Sequence, residues 1–180
     1  MVMKKKLIVS LCAFALFAFF GCAFTPDCPT YVANPNCKLV AFKPGDEPSG
    51  YNGIKWETKL STLERMKFQR KDLSYGGIDF YTREGDTFKF GNGKEKLVHY
   101  GFWKEKFYVA AITTNGREEF NALKEAVFKK FGEGAKPFLN SEEYLWFGKN
   151  ADMVLRYTEN SGLGAYYIRS LSVGKQIERN

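Results

Sequence analysis

Histidine is almost missing from this chain: His99 stands alone among 180 residues. One imidazole excludes a histidine-rich metal centre. Neither H-E-x-x-H nor G-x-S-x-G occurs to suggest a zinc protease or a serine hydrolase. Cysteine is also scarce, with four residues and no C-x-x-C, which argues against a zinc ribbon and a thioredoxin-type redox pair. Asp46, Asp86 and Asp152 are isolated and do not form a calcium loop. Gly91-Asn92-Gly93-Lys94 lacks phosphate-loop spacing, and Gly132-Glu133-Gly134 follows a helical pattern instead of opening one, so both are turns. On these grounds neither a cofactor nor a metal is expected. No apolar run is long enough to span a bilayer, which takes about 20 residues.

The chain does have a front end with a clear pattern. Lys4, Lys5 and Lys6 precede Leu7–Phe20, an apolar run of 14 residues broken only by Ser10. A basic cluster ahead of about 7–15 apolar residues is the pattern of an export signal. Phe19-Phe20-Gly21-Cys22 resembles the lipobox of bacterial lipoproteins, with a small residue ahead of the cysteine that takes the lipid; Phe19 stands where leucine is usual. The reading favoured here is removal of residues 1–21 and lipidation of Cys22. Ordinary cleavage after Ala23 and an uncleaved anchor remain open alternatives.

Cysteine pairing agrees with lipidation. Cys12 leaves with the signal and Cys22 carries lipid, so Cys28 and Cys37 remain as an even pair in an oxidising compartment. Their bond would close a loop of about ten residues, worth about 2.5–3 kcal/mol on the chain-entropy model. Five of the six prolines fall between Pro26 and Pro48. Residues 22–50 therefore form a tether that holds this disulfide loop. Removing three lysines leaves 24 basic against 20 acidic residues, a net +4, which suits a solvated surface or weak attraction to envelope polyanions. Export and the absence of any RNP, zinc-finger or helix-turn-helix pattern exclude nucleic acid as a partner.

Residues 51–175 read as one α+β domain. Thr58–Met66, with Leu60, Leu63 and Met66 at three-residue steps and Ser61-x-x-Glu64 as a capping box, predicts a short helix. Strands are expected at Ile78–Arg83, Thr87–Phe90, Leu97–Trp103 and Phe107–Thr114, with a hairpin turn at Lys104-Glu105-Lys106. A second helix starts at Thr114 or Asn115, carries Glu118 and Glu119 in its first turn, and places Phe120, Leu123, Val127 and Phe131 on one stripe before Gly132. Strands at Tyr144–Phe147, Met153–Thr158 and Ala165–Val173 follow, with Asn160-Ser161-Gly162 as a turn. Two helices on one face of an antiparallel meander give a two-layer sandwich, with halves 51–115 and 116–174 as a possible tandem repeat.

The blocks GIKW, YGGIDFYTREGD, YGFWKEKFY, LKEAVFKKFG and YLWFG, spread over Gly53–Leu171, resemble those of small bacterial envelope lipoproteins of uncharacterised function. The helix-plus-meander order is also similar to β-lactamase inhibitor protein-like domains and to outer-membrane assembly lipoproteins of the SmpA/OmlA kind. These resemblances imply a binding or assembly role and transfer no functional residue.

Large aromatics occupy adjacent strand positions, and neighbours on a strand face opposite ways. Two helices on one face leave the other uncovered, so Tyr100, Phe102, Trp103, Tyr108, Trp146 and Tyr166 are the candidate surface for an envelope protein or polymer, unless a second packed layer such as the proline-rich segment 38–50 folds over them or strand propensity alone places them. An enzyme built on His99, or a purely structural lipoprotein, is the alternative. Glu142 and Glu143 are adjacent, so their side chains should diverge and not form an acid/base pair.

Overall fold

The computed structural model describes residues 37–73, 77–91 and 94–179. The expected leader, the expected lipidation site Cys22, and Cys28 lie outside them. Within them, two short hairpins and a seven-stranded sheet are built from β1 (Gly50–Tyr51), β2 (Ile54–Lys55), β3 (Met66–Asp72), β4 (Ile78–Arg83), β5 (Thr87–Phe90), β6 (Lys94–Leu97), β7 (His99–Trp103), β8 (Lys106–Asn115), β9 (Glu142–Phe147), β10 (Ala151–Thr158) and β11 (Leu163–Ser170). Two helices complete the α+β domain: α1 (Arg117–Phe131) and α2 (Leu171–Glu178).

The main sheet is antiparallel throughout, in the order β3-β4-β7-β8-β11-β10-β9. It consists of two meanders that meet where β8 pairs with β11. Lys104 and Glu105 both adopt positive φ in the two-residue turn between β7 and β8, the conformation that matches strand twist in a tight hairpin.

Helix α1 follows its apolar stripe. Phe120, Leu123, Val127 and Phe131 are all buried, Glu118 and Glu119 sit in the first turn, and Gly132 stops the helix at φ 77°. Its start differs slightly from expectation, because Gly116 occupies the cap position and Glu119 reaches back to accept from the Asn115 backbone N–H at 2.9 Å. The close seating of α1 depends on Gly164 in β11. A β-carbon there would come within 2.7 Å of the Phe120 ring and 2.2 Å of the Thr114 hydroxyl.

The expected first helix does not form. Only a 3-10 turn at Leu60–Thr62 appears, with no side-chain cap, and Arg65 adopts φ 60° before β3 begins at Met66. Leu60, Leu63 and Met66 still pack inward together, because a three-residue period also fits a 3-10 turn followed by a strand. The final strand ends at Ser170, not Val173. The Ser170 hydroxyl accepts from the Val173 N–H and opens α2, which runs beside Tyr108. The α+β architecture of an antiparallel sheet with two helices is as expected, with α2 in place of the helix at Thr58–Met66.

The two faces of the sheet have separate cores. Under α1 lie Tyr100, Phe102, Phe107, Ile112, Trp146, Met153, Leu155, Tyr166 and Ile168. The second face carries Ile78, Phe80, Val109, Ala111, Leu145, Val154 and Tyr167. A bulge between β7 and β8 places Tyr108 on this second face with Val109, where it packs near the ion pair of Arg169 with Asp152 (2.9 and 2.5 Å).

Candidate functional site: a polar depression beside Tyr157

The six aromatics expected on a docking surface are mostly core. Tyr100, Phe102, Trp103, Trp146 and Tyr166 are each no more than 3 % exposed, and Tyr108 is half-buried. Covering layers that helix-counting omits account for this. Trp56 stacks on Phe107 at 5.0 Å, Tyr51 meets Tyr100 edge-on at 6.3 Å, Phe88 of the β5–β6 hairpin approaches Tyr166 at 6.3 Å, and Phe42 packs on Phe131 at 6.0 Å. The proline-rich arm and the two hairpins thus supply area that a second helix would have supplied.

Several of these aromatics serve internal bonding. The Tyr100 hydroxyl donates to Asp86 Oδ2 at 2.5 Å and accepts from Asn52 Nδ2 at 3.1 Å, while Arg83 donates to the same carboxylate. Burial works against ionisation of Asp86, yet the hydrogen bonds from Tyr100 and Arg83 and the Arg83 charge hold its pKa below the ordinary value. Burial, then the bond to Asp86, pushes the Tyr100 hydroxyl well above its usual range.

His99 lies on the second face, in register with Ala111, which pairs with Tyr167. Burial, then the nearby Arg70 charge, lowers its pKa. A cationic neighbour does not orient a general base as a carboxylate does. Ser172-Val173-Gly174-Lys175 has the S-x-x-K spacing of Ser–Lys hydrolases, but both named side chains are exposed on α2 and the Ser172 hydroxyl donates to Glu57 at 2.7 Å. Among the described residues no three His, Cys, Asp or Glu side chains gather to hold a metal ion, and no helix is long and apolar enough to cross a membrane. Cys37 is half-buried against the second core; its expected partner, Cys28, lies outside the described residues.

A different place does gather side chains. Between the loop that leads into β9 and the turn after β10 lies a depression of about 390 Å³, lined by Lys136, Leu139, Asn140, Ser141, Glu142, Tyr157, Thr158, Glu159 and Asn160. Its volume falls within the range of small-ligand sites, about 300–1,000 Å³. Leu139 is 60 % exposed at the rim. Tyr157 forms part of the floor, with its ring packed on Phe120 at 5.0 Å and covered by the Arg117 guanidinium at 4.0 Å.

Glu142 and Glu143 diverge, as strand alternation requires. Glu142 turns to this depression, paired with Arg117 and with Lys124 at 2.9 Å; Glu143 turns to the other face, 3.9 Å from Arg156. Arg117 also pairs with Glu159. Arg117 and Lys124 thereby pair both carboxylates, and Lys136 is the one cation among the lining residues, so the charges there are close to balanced. Asn140, Thr158 and Asn160 contribute neutral donors and acceptors at the surface.

No motif marks these residues in the sequence, since they converge from the start of α1, the 136–141 loop and the β10–β11 turn. One weak signal was present: Leu139-Asn140 inside a polar loop is an apolar residue without a strand or helix to serve. No protein-family model matches the chain, and neither a curated protein nor a solved structure matches it.

Proposed function

We propose that this chain is an exported, lipid-anchored, non-enzymatic protein of the bacterial cell envelope that binds an envelope component, with the contact at the Tyr157 depression. The leader pattern and Cys22 support the location, and the likeness of its sequence blocks to envelope lipoproteins supports the class. The observation that carries the binding role is the depression itself: exposed Leu139 stands beside Asn140, Thr158 and Asn160 over a floor fixed by the Arg117–Tyr157 stack. Ligand sites join apolar contact to placed polar groups; here the polar groups predominate and Leu139 supplies the exposed apolar contact. On this reading the aromatic sheet is the scaffold and not the contact.

Two measurements test it. Mass spectrometry of the mature N-terminus should find a diacylglyceryl group on Cys22; a free N-terminus at Phe24 or an intact leader would remove the anchor. Co-sedimentation of the mature protein with isolated cell-wall polymer should show saturable binding that Leu139→Asp abolishes. Equal binding by this variant, whose substituted side chain is already exposed, would place the contact elsewhere.

A further inference from the structure

We infer that the depression beside Tyr157 takes a neutral saccharide bearing N-acetyl groups, an inference that rests on the reading of this depression as the contact. Charge decides first. An anionic ligand would face Glu142 and Glu159, whereas a cationic one would have to displace Arg117, which already bridges both carboxylates and lies 4.0 Å over the Tyr157 ring. Lys124 holds the other Glu142 oxygen at 2.9 Å, and Lys136, the one cation among the lining residues, shares the wall with Glu142 and Glu159, so no cluster of charge of either sign is presented there.

The remaining groups are neutral. Asn140 and Asn160 each offer a carboxamide with two donors and one acceptor oxygen, and Thr158 offers a hydroxyl. Paired donor and acceptor groups of this kind match sugar hydroxyls and acetamides, which also donate and accept. Tyr157 does not provide a stacking platform, because Phe120 and Arg117 both pack against its ring. The apolar contact falls instead to Leu139, whose exposed side chain is the size to cover one acetamide methyl. An unacetylated sugar would leave Leu139 in water.

The test is an NMR titration of the mature protein with an N-acetylglucosamine trimer and, in parallel, a glucose trimer. The expected result is saturable shifts at the amides of Leu139, Asn140 and Asn160 with the acetylated trimer, and at least tenfold weaker response to the other. Leu139→Ser should lose that preference, and Asn160→Asp should weaken binding at least tenfold, both with unchanged melting temperature. Equal response to both trimers would overturn the acetamide assignment. No response to either, while cell-wall polymer still binds wild type and not Leu139→Asp, would sink the ligand class and leave the depression as the contact. Loss of the polymer difference as well would sink both.

Discussion

The two outer edges of the seven-stranded sheet solve the same problem in different ways. Each exposes a row of backbone donors and acceptors that invites another strand. At β9 the row is covered: Ala135 and Leu145 exchange two 2.8 Å hydrogen bonds, and the Phe147 N–H donates to Val40 at 2.9 Å. Glu47 fixes the arm by accepting from the backbone N–H groups of Asn150 and Ala151. At β3 no described strand lies outside, and the row is blunted instead. Gln69 forms a bulge between Phe68 and Arg70, and Lys67 and Lys71 stand exposed along it. A covered edge contributes to stability, whereas a blunted one contributes solubility.

Breaking the covered edge should have the largest effects. Trp146 of β9 is fully buried and meets Phe128 edge-on at 6.1 Å, so Trp146→Ala is expected to cost about 3–5 kcal/mol in a denaturant melt. A cost under about 1 kcal/mol would mean that the edge strand is not part of the cooperative core. Glu47→Ala removes the acceptor of two backbone bonds and should cost about 1.5 kcal/mol, with faster hydrogen exchange at Asn150 and Ala151 before the rest of the sheet opens.

Acidity offers a gentler handle on β9. Burial raises the Glu143 pKa above its usual value, and the attraction of Arg156 offsets this only in part. The folded state therefore holds that proton more tightly than the unfolded chain. The contribution to stability is fullest below pH 4.5 and is lost as pH rises from there through the folded pKa. Glu143→Gln should flatten that loss, read as a smaller decline in melting temperature across the same window; a decline equal to wild type would show that Glu143 is solvated.

The blunted edge should answer with the smallest change in stability. Lys67→Val with Lys71→Val should leave the monomer's stability within about 0.5 kcal/mol yet cause concentration-dependent association by sedimentation. A monomer that stays monomeric would show that the Gln69 bulge protects β3 without help from charge.

The contrast also explains what the sequence could disclose. Ile78–Arg83, inside the main sheet, alternates, and Thr87–Phe90, in the outer hairpin, is bounded by turns; both were legible to the residue. Helix α1 was legible because its stripe, first-turn acids and terminal glycine agree. β3 was not: Met-Lys-Phe-Gln-Arg-Lys-Asp carries no alternation, since an exposed edge buries neither face and leaves no pattern. The arm's contact with β9, an isolated bridge from Ala41 to Phe147, left no pattern either, because a single bridge needs no run of alternating residues. The same holds for the depression, whose residues are brought together by topology alone. Of the two readings of the aromatics, exposed surface or packed layer, the packed layer is found; a strand such as Thr87–Phe90 can be read locally, but the face onto which its hairpin folds cannot.

The latch of the arm onto β9 has a mechanical consequence. Any pull delivered through the chain ahead of Cys37 would first load the hydrogen bond between Val40 and Phe147. Glu47 stands behind it as a stop, so such a pull would spend itself in a short length of detached arm before β8 and β11, at the middle of the sheet, bear any tension.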